Sequence, residues 1–349
     1  MENLSRISVE EKEDDRQKSS TFLPIVICAL ALPVSMVMWI GNLAFSFFAL
    51  ERTHLHEDGT VIPPTRWLAA TGIPLFIAAW GLKKKSLDKS GAGLGLFMGF
   101  ILTLTSYSFL ASLLMFFVSS SKATKFRANK KRKLEEDFRE GGQRNWVQVL
   151  CNGGIATLLA ILYLLDVGWE ERPIDFYKDY RASWLGLGIL GSLACCNGDT
   201  WASELGAVVG GGEPFLITTR KRVPRGTNGG VTFAGLFFSV IGGAAVGLAY
   251  YVALLYCVDP DVLGASPQQW PLIVVGALAG LFGGIVDSLL GATLQYSGLN
   301  ERTGCVVERA GRGVRHISGI QLLDNHSVNL VSSLLMGLLT PKFAGVLFL

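Results

Sequence analysis

The chain has 349 residues, 50% hydrophobic and 17% charged, with a mean hydropathy of +0.40 and a net charge of +3. A soluble domain usually carries about 25% charged residues, so this composition excludes an ordinary soluble protein and predicts an all-α, polytopic integral membrane protein with no nucleic-acid partner. The six cysteines lie in or beside apolar runs without metal-type spacing, which argues against a disulfide framework or a zinc site.

Residues 1–20 are mixed in charge and read as a disordered tail. They lack the basic-then-apolar pattern of a cleaved signal, and Asn3-Leu4-Ser5 would be a glycosylation sequon on a lumenal side. Apolar runs able to cross a core of ~30 Å follow near 22–48, 66–82, 91–119, 146–166, 183–210, 230–257, 270–294 and 327–349. They predict about eight transmembrane helices in a single domain, 21–349. Glycine, at 41 residues, suggests helices packed backbone to backbone. Eight crossings alternate the loops, and Lys and Arg are in excess at 49–65, 120–145, 211–229 and 295–326. Those loops are expected in the cytosol, with both termini lumenal, in the endoplasmic reticulum or another endomembrane. His54 and His56 have no third ligand and read as solvated. The basic run from Lys122 to Arg144 reads as an anchor or lipid-headgroup contact.

Ionisable groups in a span default to a functional reading. Asp199, Ser203 and Glu204 lie in the last third of the fifth run, and Asp287, Ser288 and Gln295 end the seventh at the same side. Gln148 and Asn152 begin the fourth run there, and Asn325 and Asn329 begin the eighth. Gly280, Gly284, Asp287, Gly291 and Gln295 share one helical face. Asp199 and Glu204 do not, because five positions separate them by ~140° on a regular helix. Either Glu204 serves a separate purpose or the helix breaks at Asn197-Gly198. After the fifth run, Arg220, Lys221, Arg222 and Arg225 precede a turn, Gly226-Thr227-Asn228-Gly229-Gly230. Its backbone N–H groups and the arginines suit phosphate oxygens, with carboxylates nearby to hold Mg²⁺. A Walker A motif is absent, and Gly186-x-Gly188-x-x-Gly191 lies mid-span rather than between a strand and a helix.

The string Asn197-Gly198-Asp199-Thr200-Trp201-Ala202-Ser203-Glu204-Leu205-Gly206, with Ile217-Thr218-Thr219, Gly226 to Thr232 and Gly284 to Gln295, resembles the transmembrane protein 19 family from about Thr21 onward. That family includes plant phytyl-phosphate kinase, and Gly-Asp-x-x-Ala-Ser-x-x-Gly is remotely similar to the signature of dolichol kinase, phytol kinase and phosphatidate cytidylyltransferase. The resemblance implies Asp199 and Glu204 as acidic, metal-holding residues and Gly226 and Thr227 at phosphate. It implies Mg²⁺, a nucleoside triphosphate (CTP or another) and a membrane isoprenoid phosphate as substrate. Pro224-Arg225 stands where dolichol-kinase-like enzymes have a lysine-led turn followed by Glu-Gly, which leaves the nucleotide open. Three readings follow: an isoprenoid-phosphate kinase using Asp199, Glu204 and Asp287; a transporter lined by the same acids; and a non-catalytic membrane protein retaining a relic site. Oligomeric state is not readable from the chain.

Overall fold

A computed structural model describes residues 29–46, 61–126, 142–209 and 212–348. The expectations for residues 1–20, Asn3, His54, His56 and most of the 122–144 run lie outside the described residues. The chain forms two compact units, Met1–Trp80 and Gly81–Leu349. The first holds α1 (Ala29–Ser46) and most of α2 (Pro64–Lys83), with the N–H of Ile62 donating to Asn42 Oδ1 at 3.1 Å.

The second unit holds α3 (Lys89–Thr105), α4 (Tyr107–Lys125), α5 (Trp146–Asp166), α6 (Tyr180–Trp201), α7 (Phe233–Cys257), the short α8 (Pro260–Gly264), α9 (Pro271–Leu294) and α10 (Asn325–Ala344). By length and composition α1, α5, α7, α9 and the segment Asn325–Phe348 can each cross a membrane. The centre is α6, which packs against α4, α5, α7, α9 and α10. Leu187, Ile189, Leu190, Leu193 and Ala194 have no exposed surface. A helix sheathed by other helices need not be as apolar as one facing lipid, which is why small and polar residues accumulate here.

The third apolar run is two helices, not one. Ser106 takes an extended conformation between α3 and α4, and its Oγ accepts from the N–H of Ser108 at 3.1 Å. Glu171, from the segment after α5, holds the tip by accepting from Ser106 Oγ at 2.6 Å and from the N–H of Tyr107 at 2.5 Å. The carboxylate thus satisfies an open helix N-terminus. The run Thr103-Leu104-Thr105-Ser106-Tyr107-Ser108 supplies hydroxyls that compete for backbone groups. The two helices are about 25 and 28 Å long at 1.5 Å per residue and form a hairpin whose open end meets the start of α5. There the N–H of Asp88 donates to Arg144 O at 3.0 Å, and Lys125 Nζ donates to Ser86 Oγ at 2.9 Å.

This hairpin changes the side of the 83–90 loop, which joins the described ends of the 120–145 segment and the loops at 212–229 and 295–326 on one face. In sequence those four loops carry 4, 9, 4 and 4 Lys and Arg residues. The loops at 167–182 and 258–269 and the C-terminal segment, on the opposite side, carry 3, 0 and 1. The charge asymmetry within this unit is therefore sharper than alternating single crossings imply.

Two small sheets decorate that face. Strands β1 (Phe215–Leu216) and β2 (Gly230–Val231) form an antiparallel pair; β3 (Ser297–Asn300) lies between β4 (Val306–Val307) and β5 (Val314–Ser318), antiparallel to both. Leu216, Val223 and Ala292 are buried together beneath them with Ile217 and Ile317. On the other side Gln269 clamps the main chain of Ile174, accepting at 2.8 Å and donating at 2.9 Å.

The hairpin predicts that Lys84→Cys and Arg302→Cys, each in a Cys305→Ser background, are labelled by an impermeant maleimide from one side of the membrane and Ser266→Cys from the other. Labelling of positions 84 and 266 from the same side would contradict it.

Candidate functional site

The site is built on a close meeting of α6, α7 and α9. A Cβ on Gly198 would lie 2.8 Å from Gly280 Cα and 2.9 Å from the Ser239 carbonyl oxygen, so no other residue fits. Gly243 of α7 faces Gly280 at a similar separation, and Gly283 of α9 packs on Cys195, with 3.0 Å between a Cβ built on Gly283 and Cys195 Cα. Cys195 is thus a packing residue, as its setting in an apolar run suggests. These contacts bring the C-terminal ends of α6 and α9, which run in the same direction, side by side.

Asp199 and Asp287 meet there, close enough for their charges to repel. Both are half-buried. Asp287 Oδ2 accepts a 3.0 Å hydrogen bond from Ser332 Oγ of α10. One turn earlier on α10, Asn329 Nδ2 donates to Asn152 Oδ1 of α5 at 3.1 Å, and Asn152 Nδ2 donates to Gln148 O at 2.9 Å. Gln148 itself completes a capping box with Asn145. Asn329 Oδ1 is buried without a hydrogen-bond partner, an acceptor left open beside the carboxylates. On the other flank, Asn197 Nδ2 donates to Gly242 O at 2.7 Å, Ser119 Oγ donates to Asn197 Oδ1 at 3.0 Å, and Trp201 Nε1 donates to Ser119 Oγ at 3.2 Å. This network ties α4, α6 and α7 together immediately before Asp199.

The helix does not break at Asn197-Gly198. It continues to Trp201 and then opens into a π turn, Ala202–Gly206, followed by Ala207–Val209. The wider turn lets both Ala202 and Gly206 face Gly235 at the start of α7, and a Cβ on Gly206 would sit 2.6 Å from Gly235 Cα. Single π turns recur at functional sites. Here the turn carries Ser203, exposed, with its Oγ donating to Thr200 O at 3.2 Å, and Glu204, half-buried. Asp199 has Asp287 as its carboxylate neighbour, a pairing across helices that spacing within one helix does not show.

The basic loop packs onto the same end of α9. A Cβ on Gly229, whose φ is +76°, would lie 2.5 Å from Ser288 O, and Gly291 faces Gly229 in return. Asn228 fixes the turn to β3: its N–H donates to Ser297 Oγ at 3.0 Å and its Nδ2 to Tyr296 O at 3.2 Å. The N–H of Thr227 donates to Pro224 O and that of Gly230 to Thr227 O, while Thr227 Oγ1 donates to Pro224 O at 2.7 Å. The N–H groups of Thr227, Asn228 and Gly230 are thus engaged inside the protein, and the turn acts as a clamp on α9. Arg222 and Arg225 hold the loop through Glu213 O and Gly212 O. Arg220, at φ +57°, and Lys221 are exposed. Gln295 caps α9 and donates to Glu308 at 3.2 Å, and Asn325 is the first residue of α10, behind the N-cap Asp324. Residues the sequence reading missed are Ser332, three positions after Asn329 on its helical face, and Asn197, Ser119 and Trp201, whose partners are remote in sequence.

Among the described residues no group of three or more His, Cys, Asp or Glu side chains is placed to hold a metal. Asp199 and Asp287 offer two carboxylates, with Asn329 Oδ1 open nearby. That set fits Mg²⁺, which binds through one or two carboxylates and fills its shell with water and phosphate oxygens.

The profile of the family described as integral membrane protein DUF92 matches residues 72–337. The chain belongs to this family. It is 44% identical over 281 residues to "Protein PGR" of Arabidopsis thaliana, covering 80% of this chain and 96% of that one. It is 30% identical over 234 residues to an uncharacterized membrane protein of Methanocaldococcus jannaschii, covering 66% and 84%. It is 26% identical over 235 residues to "Protein VTE6, chloroplastic" of Arabidopsis thaliana, covering 67% and 64%. No solved structure matches.

Gly198→Val is expected to destabilise the fold by about 1–3 kcal/mol through overpacking, lowering the apparent Tm in detergent, while the exposed Ser203→Ala leaves it unchanged. An unaltered Tm in Gly198→Val would contradict the three-helix contact.

Proposed function

We propose that this integral membrane protein is an isoprenoid-phosphate kinase, with Asp199 and Asp287 at its centre and Glu204 beside them on the π turn. The observation that carries the reading is two half-buried, mutually repelling carboxylates on neighbouring helices, at the end of the bundle where the 212–229 loop packs on α9 through Gly229. The γ-phosphorus of a nucleoside triphosphate is attacked by a phosphate oxygen of the lipid, the bond to the β-phosphate oxygen breaks, and the nucleoside diphosphate leaves. Bound Mg²⁺ would neutralise charge on the transferring phosphoryl group. Arg220 and Lys221 offer cations to phosphate oxygens, Arg222, Arg225 and the Gly226–Gly230 turn hold the loop on α9, and Ser332 and Asn329 orient Asp287. The isoprenoid tail lies in the bilayer against the glycine-rich helices.

Transport by the same acids is the second reading. It predicts polar groups through both halves of the membrane, whereas the half of α6 beyond the site is closed by Leu187, Ile189, Leu190 and Leu193, all fully buried.

Purified protein with Mg²⁺ and a panel of nucleoside triphosphates is expected to convert phytyl, farnesyl or geranylgeranyl phosphate to the diphosphate. Asp199→Asn and Asp287→Asn should each lower kcat by about 100-fold or more, as expected when charge stabilisation is lost. Absence of product under conditions where a relative is active would end this reading, and liposome flux abolished by Asp287→Asn would favour transport.

A further inference from the structure

Arg144 closes the segment that joins α4 to α5, and its main chain is fixed: its N–H donates to Ser86 O at 3.1 Å and its C=O accepts from Asp88 at 3.0 Å. Its guanidinium is partly exposed and turns onto the last residues of α4, Nη1 donating to Ser121 Oγ at 3.0 Å and Nη2 to Ser120 Oγ at 3.2 Å. Lys125 lies beside it, its Nζ donating to Lys84 O at 2.5 Å and to Ser86 Oγ at 2.9 Å. The charges of Lys84 and Arg144 both repel that of Lys125.

Three cations therefore converge, and none has an ion pair among the described residues. Asp88, the carboxylate closest in sequence to Lys84, caps α3, accepting from the N–H of Gly91 and from Ser90 Oγ, both at 2.7 Å. Burial without a counter-ion pulls the Arg144 guanidinium down to about 10. The C-terminus of α4 offers roughly half an elementary negative charge, too little for three cations. An anion would supply the balance, and arginine flanked by lysines and serine hydroxyls suits phosphate oxygens.

We propose that Lys84, Lys125 and Arg144 form a phosphate-binding site on the basic face, filled by the phosphate of a lipid headgroup or of a soluble phosphate ester. Its binding requires neither Asp199 nor any transfer step, so it stands apart from the kinase reading. Ser119, the residue before Ser120 on α4, bonds Asn197 of α6.

The test uses the full chain in phosphatidylcholine nanodiscs titrated with pyrophosphate. Binding is expected in the wild type and in Asp199→Asn, weakened about tenfold or more in Lys84→Gln/Lys125→Gln, as loss of charge-assisted hydrogen bonds predicts. Arg144→Gln should behave alike if it folds, and the surface lysine pair decides the matter if it does not. In nanodiscs containing phosphatidic acid, loss of pyrophosphate binding assigns the site to a lipid phosphate and retention to a soluble ester; either supports the proposal. Binding absent from phosphatidylcholine nanodiscs, or unaffected by the lysine substitutions, overturns it. So does binding that appears only when Glu135, Glu136, Asp137 and Glu140 are changed to Gln, because the chain's own acids would then be the occupant.

Discussion

Everything at the basic end of the bundle depends on one steric constraint: at Gly198 three helices approach so closely that no side chain fits between them. Lipid tails are as apolar as leucine, so membrane helices gain little from simple burial and associate through close backbone contact and hydrogen bonds. Gly198, Gly243, Gly280 and Gly283 provide that contact. Its consequence is chemical, since the crossing aligns α6 and α9 in parallel and puts Asp199 beside Asp287. Two carboxylates in such a position repel each other and persist only with compensation from a proton, a cation or hydrogen-bond donors. Ser332 supplies one donor, and the remainder of the demand is what makes the pair a site.

The same end of the bundle answers that demand electrostatically. The α3–α4 hairpin, closed at its far tip by Glu171, returns α4 to the basic side and sets the 83–90 loop beside the start of α5. The loops at 211–229 and 295–326 fold into small sheets that clamp α9 through Gly229 and Asn228. The carboxylates in the outer third of the helices thus lie at the same end of the bundle as the loops that carry most of the Lys and Arg residues. That arrangement suits a phosphorylated lipid whose head lies at the membrane surface while its tail stays in the bilayer.

Helices, the acidic segment and its placement at a basic end were readable from the sequence, because hydropathy and charge are local properties summed along the chain. The stripe of Gly280, Gly284, Asp287 and Gly291 was readable for the same reason, as helical periodicity alone puts them on one face. The hairpin was not, because Ser106 breaks an apolar run without glycine or proline and its stabilising partner, Glu171, lies 65 residues away. The π turn was hidden too: the arithmetic of a regular helix separates Asp199 from Glu204, and only the contact of Gly206 with Gly235 calls for the extra width. The nearness of Asp199 to Asp287 and the hold of Asn228 and Gly229 on β3 and α9 are tertiary facts. Membership of the DUF92 family extends over most of the second unit, which is where these features lie.

The central claim is that Asp199 and Asp287 act as one unit. A double-mutant cycle of Asp199→Asn and Asp287→Asn, read as apparent stability of the purified protein, tests it most directly. Mutual repulsion predicts that the first substitution relieves strain and the second adds little, a non-additivity of about 0.5–3 kcal/mol as for residues in contact. Effects that add within about 0.3 kcal/mol would mean that the two carboxylates are independent, and the account built on their pairing would be wrong.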